Sequence, residues 1–67
     1  MFKINAEFVR TLIFERGLSL KQFAKAAGLS EFTVGKLIRD GATARMKTIS
    51  KLAKFFGVDG GELILDD

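Results

Sequence analysis

Apolar residues recur at helical spacing along most of the chain, and glycines interrupt the pattern at intervals. The first helix is predicted to begin at Asn5, a favourable N-cap residue, and to end at Gly17. Phe14 lies off the apolar face of this helix, which consists of Phe8, Val9, Leu12 and Ile13. This face is the part of the helix that we expect to be buried.

Two further helices follow, joined by a short turn. The second begins at Ser19, which forms a capping-box pattern with Gln22, and Gly28 ends it. The third begins at Ser30 and extends to about Arg39. The apolar positions repeat every three or four residues: Leu20, Phe23, Ala24 and Ala27 in the second helix, and Val34, Leu37 and Ile38 in the third.

The rest of the chain predicts a loop at about residues 41–45, a fourth helix and a short fifth one. Gly57 ends the fourth helix, and Asp59 with Glu62 forms a second capping-box pattern that starts the fifth. The apolar face of the fourth helix consists of Ile49, Leu52, Ala53 and Phe56. The hydrophobic pattern therefore favours an all-α fold with five helices.

The two ends of the chain leave alternatives open. Phe2 and Ile4 alternate with polar residues, and residues 63–65 are apolar. Two short strands could pair here and cover the base of the helices. Frayed ends held by a few core residues are the other interpretation.

Composition narrows the possible functions. A chain of 67 residues makes one domain over residues 1–67, with roughly 60% of its surface buried and little room for a deep substrate cavity. The chain has no Cys and no His, so thiolate chemistry, the commonest acid–base residue and the commonest zinc ligand are absent, and only carboxylates, lysines and hydroxyl groups remain. We expect no enzyme activity, no cofactor, no metal site and no small-molecule ligand. The absence of a long apolar run or an apolar leader predicts no membrane partner and a cytoplasmic location.

Charge is distributed unevenly. The net charge is +3, but residues 62–67 carry three acids and no base, so residues 1–61 hold 11 positive and 5 negative charges, a net of +6. Eight of the basic residues lie between Lys21 and Lys54. A basic body with an acidic tail, which we expect to face away from the partner, indicates an anionic partner. A solvated surface is the alternative explanation.

Residues 20–39 carry the most informative pattern. A sharp angle between two short helices needs a small residue where they cross, and Ala24 supplies it. It also needs a residue that tolerates positive φ in the turn, and Gly28 supplies that. Val34 and Leu37 hold the second of the two helices in place, and Leu29 fills the turn. Together with the caps at each helix start, this pattern predicts a helix-turn-helix at about residues 19–39.

The chain resembles the phage-repressor-like (Cro/repressor, XRE) helix-turn-helix family over nearly its whole length. GLSLKQFAKAAGLSEFTVGKLI is similar to the second and third helices of that family, and TISKLAKFFGVDGGELI is similar to its fourth and fifth. The resemblance implies a compact five-helix, lambda-repressor-like DNA-binding domain. It also implies that helix 30–39 is the recognition helix, which lies in the major groove of double-stranded DNA.

The exposed side of that helix supplies the candidate base contacts. On a helical wheel Phe32, Gly35, Lys36 and Arg39 lie opposite the apolar face. The resemblance places Ser30, Glu31, Phe32 and Lys36 at base-contacting or adjacent positions. Lys36 could donate to guanine, Glu31 accept from cytosine, and Phe32 contact a thymine methyl group, while Thr33 could bind a phosphate or a base. Alternatively, Glu31 only favours the helix dipole, Phe32 folds onto the core, and Lys36 contacts only phosphate.

Phosphate contacts are expected around the edges of the recognition helix, at Ser19, Leu20, Lys21, Arg39, Thr43, Arg45 and Lys47. Lys25, Lys51 and Lys54 are interpreted as solubilising residues. The chain departs from the family in three ways. The loop before the fourth helix has Ala44 where proline is usual, the segment leading to Gly41 is one residue longer, and the usual glutamine-rich face is replaced.

These observations predict a sequence-specific transcriptional regulator, in particular a repressor. It would bind a near-palindromic operator as a homodimer, in the nucleoid of a bacterium or a phage-infected cell. Dimer contacts are expected near Phe14, Phe55 or residues 63–65. A protein-interaction module of the same fold, such as an antitoxin or an assembly partner with secondary DNA binding, is the alternative.

Overall fold

A computed structural model describes residues 1–65, within which the chain forms four α-helices, one 3-10 helix and a two-stranded antiparallel sheet. Asp66 and Asp67 of the acidic tail lie outside the described residues. The elements in chain order are β1 (Phe2–Lys3), α1 (Ala6–Glu15), α2 (Leu20–Ala27), α3 (Glu31–Leu37), β2 (Thr43–Ala44), α4 (Met46–Phe56) and the 3-10 helix (Gly60–Leu63).

The helices α1, α2 and α3 begin where the polar caps predict, whereas α4 begins after Arg45, which makes no side-chain cap bond. The Asn5 side chain accepts a hydrogen bond from the Phe8 amide at 3.2 Å. Ser19 and Gln22 form both bonds of the capping box, at 2.9 and 3.1 Å. These bonds satisfy first-turn amides that have no partner inside the helix, so local side-chain chemistry fixes the helix starts.

Two predicted helix boundaries are wrong. The predicted fifth helix is a four-residue 3-10 helix, with bonds between residues three apart: the Glu62 amide donates to the Asp59 carbonyl at 3.0 Å, and the Ile64 amide to the Gly61 carbonyl at 3.4 Å. Ile64, directly after it, is extended, at φ −102° and ψ 136°. The third helix ends at Leu37 rather than Arg39. Beyond Leu37 the Arg39 amide donates to the Lys36 carbonyl, three residues back, at 3.4 Å, and the Arg10 guanidinium donates to the Ile38 carbonyl oxygen at 2.6 Å.

The predicted pairing between the chain ends is only partly right. Ile4 and Ile64 form an isolated antiparallel bridge, supported by the Leu65 amide, which donates to the Lys3 carbonyl at 2.9 Å. The strand partner of β1 is instead the loop segment β2, with Phe2 opposite Ala44. The loop pairs with β1 at two residues, whereas the C-terminal segment pairs with Ile4 at one isolated bridge.

The core lies between the four helices and the sheet. Phe23 is fully buried and stacks on Phe56, with their ring centroids 5.3 Å apart. Ala24 is 2% exposed, as a helix-crossing position requires. Ile4 and Ala44 bury the inner side of the sheet against the same core. The periodicity assigns Leu20 to the apolar face of α2, but Leu20 is 42% exposed. It is the first residue of that helix.

The turn between α2 and α3 depends on Gly28, whose φ is +73°. We expect Gly28→Ala to destabilise the fold by about 1–2 kcal/mol, because a Cβ is disfavoured in the left-handed region. Gly35→Ala is the matched control, since Gly35 is helical and a Cβ there would meet nothing within 4 Å. It should stabilise the fold by about 0.5–1 kcal/mol. Thermal unfolding measures both effects, and equal shifts of the two variants would contradict this account.

Candidate nucleic-acid interface

The helix α3 presents one buried face and one exposed face. Val34 and Leu37 are 0% and 2% exposed and attach the helix to the core. Ser30 caps the N-terminus by accepting from the Thr33 amide at 3.0 Å, and its hydroxyl donates to the Thr33 hydroxyl at 2.8 Å. The helix is therefore held by its buried face and its cap, which leaves the opposite face free to contact another molecule.

Phe32 and Lys36 form a pair on the exposed face. The Phe32 ring is 76% exposed, so the alternative that it folds onto the core is wrong. Lys36 lies one turn later, and its Nζ is positioned over the Phe32 ring at 5.3 Å from the ring centroid. This is a cation–π contact between two side chains that are both in reach of solvent.

A shallow groove runs between α3, β2 and the start of α4. It brings together base-contact candidates Thr33 and Lys36 with phosphate-contact candidates Thr43 and Arg45. Its lining also includes Met1, Phe32, Leu37, Ala44 and Thr48. The four candidates, which lie up to 12 positions apart in the sequence from Thr33 to Arg45, thus share one surface, as a nucleic-acid interface requires.

Met1 and Thr48 line this groove but were not predicted as site residues. The pairing of β1 with β2 brings the chain start beside the groove, where the Thr43 hydroxyl donates to the Met1 sulfur at 4.0 Å. Thr48 lies in the first turn of α4. The alternation of Phe2 and Ile4 with polar residues predicts pairing with residues 63–65 rather than with β2, so it does not predict Met1 beside the groove.

The other predicted contacts lie outside the groove lining. Ser19, Leu20 and Lys21 are exposed at the start of α2, where first-turn amides point outward. The Ser19 hydroxyl already accepts the Gln22 amide, which leaves its own proton available. Ser30 and Glu31 are exposed at the start of α3, Arg39 in the turn after it, and Lys47 in the first turn of α4.

The loop that lacks proline is held by the sheet instead. The Ile4 amide donates to the Ala42 carbonyl at 2.8 Å, and the Ala42 amide donates to the Arg39 carbonyl at 3.1 Å. The longer segment before Gly41 contains Asp40, which accepts from Arg10 at 3.3 Å. These contacts fix the loop beside α3, so Thr43 and Arg45 have a defined position relative to Lys36.

Two negative findings apply to residues 1–65. No helix there is long and apolar enough to cross a membrane. No group of three or more acidic side chains in that part of the chain is arranged to hold a metal ion.

A helix-turn-helix family model (HTH_3) matches residues 10–63, which is most of the chain. The match spans all four α-helices except the first turn of α1, and it also includes the loop with β2. No curated protein and no solved structure matches the chain significantly.

Arg10 connects α1 to the end of α3, so its removal should loosen the exposed helix. We expect Arg10→Ala to destabilise the fold by about 1 kcal/mol, because the Ile38 carbonyl loses its charged donor. Asp40→Asn is the control, since it weakens the ion pair and leaves the bond to Ile38. That pair is exposed, so the control should cost at most about 0.5 kcal/mol. Denaturant unfolding compares the two, and a larger loss in Asp40→Asn would contradict the assignment.

Proposed function

Because the chain belongs to the phage-repressor-like (XRE) helix-turn-helix family and is a DNA-binding regulator of that type, we propose that it represses transcription by placing α3 in the major groove of an operator. The observation that carries the proposal is the exposed face of α3 beside a groove lined by cations. Lys36 and Arg45 both line that groove, and none of its described lining residues is acidic.

The base contacts are proposed at the start and on the outer face of α3. Lys36 donates to guanine O6 or N7, and Glu31 accepts from a cytosine amino group. Phe32 contacts a thymine methyl group, and Ser30 and Thr33 donate their hydroxyl groups to a base edge or a neighbouring phosphate. Each of these side chains except Thr33 is exposed, and Thr33 is half-buried at the groove.

The phosphate contacts are proposed at the two sides of α3. Ser19 with the first-turn amides of Leu20 and Lys21 contacts one strand through the positive end of α2. The other strand is contacted by Arg39, Thr43, Arg45 and Lys47. Such contacts supply affinity and register without sequence information.

The repressor is proposed to act as a homodimer on a near-palindromic operator, with half-sites one helical turn, about 10 bp, apart. Of the apolar positions expected at the dimer contact, Phe14 is 84% exposed and Leu65 is 44% exposed. Phe55 is less suitable, because its ring already packs edge-on against Phe23 and Phe56. Phe14 and Leu65 are therefore the preferred positions for dimer contacts.

A second function is favoured by one observation. Phe32 and Met1 expose apolar surface at the groove, at 76% and 80% of each residue. This surface also suits a protein partner, as in an antitoxin or an assembly module with secondary DNA binding. The two functions differ in how binding responds to salt.

The test is the affinity for mixed duplex DNA at two salt concentrations. A phosphate-contacting regulator shows a steep fall of log affinity with log salt. Arg45→Ala should weaken preferred and random sites about equally and reduce the slope by about one, whereas Lys36→Ala should weaken the preferred site more than random DNA, by about 1–3 kcal/mol. Lys54→Ala, in the last turn of α4, is the control.

Absence of binding at low salt would exclude the DNA-binding function, and an equal loss on all sequences would make Lys36 a phosphate contact.

A further inference from the structure

The pairing of Phe32 with Lys36 is unusual in its placement, because a large aromatic ring gains little stability from a position that is 76% exposed. Both residues lie on the outer face of α3, four positions apart, and both line the groove. The Lys36 ammonium approaches the ring to 5.3 Å from its centroid, so the two side chains restrict each other. The face of α3 thus carries one preformed unit with an apolar part and a cationic part.

Two neighbouring base-pair edges in a major groove complement such a unit. The C5-methyl group is the one apolar feature that a pyrimidine presents there, and guanine presents two acceptors, N7 and O6. Neighbouring base pairs are about 3.4 Å apart along the duplex axis. Two groups separated by 5.3 Å on one helix face can therefore contact adjacent base pairs together.

The surroundings of the pair favour the same ligand. Met1, which is 80% exposed, lines the groove together with the ring and adds apolar surface to it. A methyl group placed there leaves water for an apolar surface, which is favourable. Arg45 also lines the groove and raises the positive potential there. Its guanidinium has no hydrogen-bond acceptor, so it does not compete with guanine N7 and O6 for the Lys36 ammonium.

We propose that Phe32 and Lys36 together recognise a C5-methylated pyrimidine next to a guanine, so that thymine and 5-methylcytosine are equivalent ligands at that position. The proposal rests on the proposed function, in which α3 enters the major groove. It adds a dependence on the C5-methyl group and a coupling between the two side chains. It also makes the affinity of a site that contains cytosine at that position sensitive to cytosine methylation.

The first experiment removes only the methyl group. Preferred sites are selected from random duplexes, and each thymine beside a guanine is replaced in turn by uracil. One such replacement should weaken binding by the wild-type chain about fourfold, the value expected for one buried methyl group. Phe32→Ala should bind the thymine and uracil sites equally, and Phe32→Leu should keep part of the preference because it retains apolar surface. Lys54→Ala, which changes an exposed side chain in the last turn of α4 outside the groove, should behave as the wild type.

The second experiment tests the equivalence and the coupling. Replacing the thymine–adenine pair by cytosine–guanine should weaken binding, and 5-methylcytosine should restore about the same fourfold factor. Replacing the adjacent guanine by 7-deazaguanine should weaken binding by the wild-type chain and have little effect on Lys36→Ala. In a double-mutant cycle, Phe32→Ala should also reduce the penalty for 7-deazaguanine, because Lys36 loses the ring that positions it.

The outcomes separate this proposal from the proposed function. If a preferred site exists but uracil and 5-methylcytosine have no effect at any position, the methyl recognition is wrong and the DNA-binding function stands. If the methyl effect survives in Phe32→Ala, another residue recognises the methyl group. If no sequence is preferred over random DNA, sequence-specific regulation fails and the present proposal fails with it. Circular dichroism of each variant checks that the exposed substitutions leave the fold intact.

Discussion

The turn at Gly28 is the constraint on which the interface depends. The left-handed residue allows the Leu29 amide to donate to the Ala24 carbonyl at 2.8 Å, so α2 closes and the chain reverses within three residues. Ala24 lets the next helix cross closely, and the buried Val34 fixes the rotation of α3 about its axis. The same rotation carries Phe32 and Lys36 to the outside, so the core contacts that stabilise α3 also determine its exposed face.

A second support comes from outside the two helices. The seven residues of α3 are too few for a helix that is stable by itself, so its position depends on neighbouring segments. Arg10 from α1 holds its end at Ile38, and the sheet holds the following loop. The groove is therefore bounded on one side by α3 and on the other by β2. Its shape depends on the bond from Arg10 to Ile38 and on the pairing of β1 with β2.

The sequence predicts the parts of this arrangement that depend on local chemistry. The caps at Asn5, Ser19 and Ser30 and the exposed face of α3 follow from residues within a turn or two of each other. The end of α3 differs from the prediction where the chain contacts Arg10, 28 positions away, and a local pattern does not show such a contact. The position of Met1 beside the groove is not predicted for a similar reason. It depends on the pairing of a two-residue strand with a segment about 40 positions later. The roles of the individual side chains at DNA stay predictions, since they depend on a partner outside the chain.

The composition of α3 departs from what stability alone would favour. Gly35 lowers the helix propensity in the middle of a short helix, and Phe32 exposes a ring that a folded chain would normally bury. Neither residue helps the fold, whereas both suit close approach to a groove, one by small size and one by its apolar surface. Such local departures from the stability rules are expected where a surface serves recognition. They lie on the same helix face as Lys36, the face that is proposed to contact DNA.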